Sequence, residues 1–79
     1  MYQKVLYQGK RSGIFFDKGY AGEDEWLCIL EVNEICNDEW IPVEVFTCKL
    51  EEMDTPAYDY ILGRAIALCI AIDEQGEEQ

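Results

Sequence analysis

Thr55 and Pro56 open the segment that most limits what this chain can become. A threonine hydroxyl suits a helix cap, and a proline fits the first helical position, where its missing N–H has no bond to lose. Asp59 falls in the first turn, at the positive end of the helix dipole. The pattern predicts a helix from Pro56 to about Glu74, with Gly76 as its terminator. Tyr58, Ile61, Leu62, Ala65, Leu68, Cys69 and Ile72 form one apolar stripe on it. The opposite face carries Gly63, Ile66, Ala67, Ile70 and Ala71, broken only by Tyr60 and Arg64. A helix apolar almost all round is buried on more than one side. Two covers compete for the second face: strongly curved strands, or another subunit. Gly63, Ala67 and Ala71 recur every four positions and allow close approach of a second helix. The reading favours a homodimer through Gly63, Ile66, Ala67, Ile70 and Ala71.

What precedes this helix reads as strands. Tyr2 to Tyr7 is rich in aromatic and β-branched residues, and Ile14-Phe15-Phe16 begins a second strand. Between them Gly9-Lys10-Arg11-Ser12-Gly13 is a turn, so the first sixteen residues form a hairpin with a basic tip. Asp17 to Glu25 reads as a loop. Trp26 to Val32 is a third strand, apolar on both faces apart from Glu31, which suits a central place in the sheet. Asn33 to Glu39 is a connection rich in turn formers. Trp40 to Leu50 is a fourth strand, beginning at an edge or a bulge because Pro42 has no N–H for a ladder. Glu51-Glu52-Met53-Asp54 links it to the helix. The expected fold is α+β: an antiparallel sheet of about four strands, then one long C-terminal helix packed on it. Seventy-nine residues suit one domain, 1–79, with residues 75–79 frayed.

Charge is divided along the chain. In residues 1–20, Lys4, Lys10, Arg11 and Lys18 outweigh Asp17, for +3; residues 21–79 set sixteen acids against Lys49 and Arg64, for −14. The net −11 repels nucleic acid and attracts basic partners. Direct nucleic-acid binding is disfavoured, because phosphate contacts need clustered Lys and Arg. The longest apolar stretch, Tyr60 to Ile72, holds Gly63 and Arg64 and falls short of the roughly 20 residues of a membrane span. With no signal peptide legible, a cytoplasmic location is expected.

Little catalytic chemistry is legible. The chain has no histidine, which removes the commonest general base and metal ligand. Ser12 sits in a turn and reads as a turn former. Cys28, Cys36, Cys48 and Cys69 are widely spaced, without the close pairs of zinc sites. Cys28, Cys48 and Cys69 lie among apolar residues, where a reduced thiol acts as a small hydrophobe. Cys36, in a polar loop, is the best nucleophile on offer, yet Glu34, Asp38 and Glu39 around it would raise its pKa. Neither a cofactor nor a metal is expected, and the reading is not an enzyme.

What remains is a surface for another protein. Acids fall in groups at Glu23-Asp24-Glu25, Glu31 and Glu34, Asp38-Glu39, Glu51-Glu52-Asp54 and Asp73 to Glu78, with Tyr20, Trp26, Trp40 and Tyr58 interleaved. Aromatic anchors beside charges are typical of binding hot spots. Acids spread over a folded surface can copy the phosphates of a duplex. In size and acidity the chain resembles the small inhibitors that phages and other mobile elements encode, among them anti-CRISPR proteins and DNA mimics. That resemblance is one of composition and implies a basic nucleic-acid-binding protein or complex as partner, in a host cytoplasm. The competing expectation is an accessory module whose strands close into a small SH3-like barrel and whose helix oligomerises.

Overall fold

The computed structural model describes residues 3–77. Four strands, β1 (Gln3–Gln8), β2 (Ser12–Gly22), β3 (Glu25–Cys36) and β4 (Glu39–Lys49), are followed by a 3₁₀ turn at Leu50–Glu52 and by helix α1 (Pro56–Glu77). The strands form one antiparallel sheet in the order β1-β2-β3-β4, each paired with its sequence neighbour. The architecture is the expected α+β arrangement, a sheet with one C-terminal helix packed on it. The sheet stays open, with β1 and β4 as its edges, so the strands do not close into a barrel.

The strands outrun the sequence expectation. Residues 17–22, read as loop, continue β2, and 33–36, read as connection, continue β3. Only Glu23-Asp24 and Asn37-Asp38 are left to turn the chain, and all four have positive φ, between 53° and 66°. Two-residue loops with both central residues left-handed match the twist of the strands they join. Each strand pair also carries one bulge, at Leu6, Ala21 and Val43. The last lies beside Pro42, where a missing donor interrupts the ladder, as the sequence suggests.

The core lies between α1 and one face of the sheet. Ile14 and Phe16 of β2 and Cys28, Leu30 and Val32 of β3 meet Ala65, Cys69 and Ile72 of α1, all buried. Tyr58, Ile61, Leu62 and Leu68 complete the predicted stripe around them. Ile66, expected on the outer face, also packs against this core. The helix start is as read: the Thr55 hydroxyl accepts from the Ala57 N–H at 3.3 Å. Its end is not, since α1 runs through Gly76 to Glu77. The readings on Tyr2 and on the tail beyond Glu77 lie outside the described residues. Among the described residues no helix is long and apolar enough to cross a membrane.

A polar latch joins the two ends of this core. The Asp73 carboxylate accepts from the Arg11 backbone N–H at 2.8 Å and from the Ser12 hydroxyl at 3.0 Å. Ser12 also reaches the Cys69 carbonyl at 3.3 Å. Arg11 pairs with Glu34 at 3.1 Å. A Cβ on Gly9 would run into the Asp73 carboxylate, so a larger residue there would push that carboxylate out of its place.

Candidate functional site: an acidic cleft at one end of the sheet

The β2–β3 turn and the corner after β4 stand side by side at one end of the sheet. Strand length decides this: β3 and β4 pair from Cys36↔Glu39 to Leu27↔Lys49, which carries Lys49, Leu50 and Glu51 back beside Glu25. Together Glu23, Asp24, Glu25, Trp26, Lys49, Leu50 and Glu51 line a cleft of about 650 Å³. Two of the acidic groups singled out in the sequence therefore meet, although more than twenty residues separate them along the chain.

Among the described residues the cleft wall holds one cation, Lys49, whose ammonium lies 3.7 Å from Glu25. Glu23, Asp24 and Glu51 leave a negative surplus. Trp26 is 49% exposed at its edge, and Tyr20 backs it with ring centroids 5.0 Å apart. The Tyr20 hydroxyl in turn accepts the Asp24 N–H at 3.1 Å, which ties the turn to the aromatic pair. Tyr20 is legible in the sequence as an aromatic among the acids, but the loop reading hid its place on β2 beside Trp26. The alternation Phe16, Lys18, Tyr20 continues β2 and was the available signal.

Other expected site residues go elsewhere. Glu52 turns back, its carboxylate accepting the Lys49 N–H at 3.1 Å, and its carbonyl takes the Thr55 hydroxyl at 2.6 Å. Asp54 is exposed in the turn before α1, outside the cleft lining. Asp38 and Glu39 lie in and after the β3–β4 turn, at the far end of a 12-residue strand. Trp40 leaves the acidic group altogether. It lies on the sheet face away from α1, over Gly13 and edge-on to Phe15 at 5.3 Å. The expected partner-binding residues thus occupy two opposite ends of a molecule whose longest dimension is 47 Å.

On α1, Gly63, Ala67, Ile70 and Ala71 are exposed on the outer surface, and a Cβ on Gly63 would meet nothing within 4 Å. Arg64, which interrupts that surface, spreads its guanidinium 6.0 Å from the Phe46 ring centroid.

All four cysteines are free. Cys28 and Cys48 are direct partners across β3 and β4. Burial, and then the Cys48 thiol beside it, push Cys28 up to about 11. Burial also raises Cys69, helped by nearby Asp73 and opposed by the Ser12 hydroxyl. Tyr58 is raised by burial and by the two thiols it covers. Cys36 is exposed at the end of β3 opposite the cleft. Among the described residues no group of His, Cys, Asp and Glu is placed to hold a metal ion. Carboxylates around an exposed indole can bind a cationic surface by charge and by stacking of guanidinium on the ring. No family model, curated protein or solved structure matches the chain.

Proposed function

We propose that this chain is a small non-catalytic binding protein that inhibits a basic, nucleic-acid-handling protein. The cleft end occupies a Lys- and Arg-lined channel that otherwise takes nucleic acid, with Trp26 as its aromatic anchor. The observation that carries this reading is the meeting of Glu23, Asp24, Glu25 and Glu51 around one exposed tryptophan. The net −11 steers the encounter. Whether the acids copy a duplex or simply neutralise the channel, the association is electrostatic and weakens with salt.

The test is capture from a bacterial lysate, washed at about 0.1 M and then about 1 M salt, with a neutralised variant beside the parent. Glu23→Asn and Asp24→Asn keep the turn, because asparagine tolerates the left-handed backbone, and Glu51→Gln keeps its length. The parent should retain a basic nucleic-acid-binding protein that leaves at high salt. The triple variant should retain about a tenth as much or less, for a loss of about 1.4 kcal/mol or more. Undiminished capture by the variant, or a partner that resists salt, rejects the reading.

A further inference from the structure

Among the described residues nothing covers the face of the sheet turned away from α1. Register and alternation place Val5, Phe15, Ile29, Ile35, Trp40 and Val45 on it. Val5 is 54% exposed and Val45 49%. Most acids are kept off this face. Among the described residues only Asp17 and Glu31 stand within it, with the Glu25–Lys49 pair at its rim. A chain of net −11 thus leaves a broad, largely apolar sheet face bare.

We propose that a second copy of this chain covers that face, sheet against sheet, in a symmetric dimer with both helices outermost. Size supports this occupant. Strands of 11, 12 and 11 residues with β1 beside them, at about 3.3 Å per residue and about 4.8 Å between strands, outline roughly 600 Å². Two copies bring together roughly 1,200 Å² before side-chain relief is counted, which reaches the range of stable interfaces. Charge supports it too. The face gives a basic partner little to hold, whereas an apolar sheet matches its own copy as in a β-sandwich. The outer surface of α1 is the weaker candidate, being narrower and built on Gly63, Ala67 and Ala71.

Two copies of −11 repel, so the dimer responds to salt in the opposite sense to a basic partner. Sedimentation equilibrium is the measurement, at about 0.1 M and about 1 M salt, across which the screening length falls from about 10 Å to about 3 Å. The dimer should tighten as salt rises. Glu31→Gln, which preserves an acceptor for the Asn33 amide now 3.2 Å from the carboxylate, should tighten it about tenfold by removing a buried acid from the interface. Val5→Glu, on an exposed edge strand that keeps its fold, should weaken it about tenfold or more. Ala67→Glu should leave it unchanged. A monomer at every salt concentration overturns the proposal. So does dissociation by Ala67→Glu with indifference to Glu31→Gln, which moves the contact to the helix.

Discussion

Asp73 shows how one side chain can set the relation between distant parts. Its carboxylate takes both the Arg11 N–H and the Ser12 hydroxyl, and a carboxylate lost from such a place leaves two donors without partners. Asp73→Ala is expected to cost about 1–3 kcal/mol, read as a lower urea midpoint, and Asp73→Asn less, since its amide oxygen still accepts. Ser12 looked like an ordinary turn former because its partner lies 61 residues on, and no local pattern marks such a bond. The cysteines were easier to read: apolar neighbours on both sides of Cys28 and Cys69 announced burial. That burial has a pH signature. The folded Cys28 thiol holds its proton up to about 11 against an ordinary value of 9.0, so the unfolded chain loses that proton first. Its stabilising contribution is complete below about pH 9 and is lost as pH rises toward 11. Cys69 and Tyr58, both raised, act in the same direction. Thermal melts should therefore fall between pH 9 and 11, and less steeply in Cys28→Ala.

Among the elements, α1 was the most legible, because a cap, a proline and a three-to-four-residue apolar repeat all agree. The sheet was legible in strand number and order but not in strand length. Gly19, Gly22 and a run of acids resemble a loop, and neither tight turn contains the Asn-Gly or Asp-Gly pair that usually announces one. Pairing to a long partner holds 17–22 and 33–36 extended despite their composition, and that is a tertiary effect. Glu23 is the residue least suited to its place, a long side chain at φ 53°. Glu23→Asn is expected to raise stability by about 0.5–1 kcal/mol, seen as a higher thermal midpoint. The same substitution removes a cleft charge. A variant that melts higher yet loses its basic partner separates binding from folding in one protein.

For the whole molecule, the sequence announced how much charge there is and not where it gathers. Glu23 to Glu25 and Glu51 meet because strand lengths bring them to one end, while Asp38 and Glu39 are carried to the other. Trp26 and Trp40 look alike in sequence, each opening an apolar run after acids. Register sends one to the cleft and the other across the open face. The two proposed contacts adjoin at the Glu25–Lys49 pair but respond to salt in opposite senses, and one titration reads both. The simple strand order has a bearing on biosynthesis as well. Each strand pairs with the one made just before it, so the hairpins close locally as the chain emerges. The helix that seals Ile14, Leu30 and Val32 is made last. Until it docks, the nascent sheet shows water an apolar surface on both sides, and the acids along its strands and in its turns are what hold neighbouring nascent chains apart.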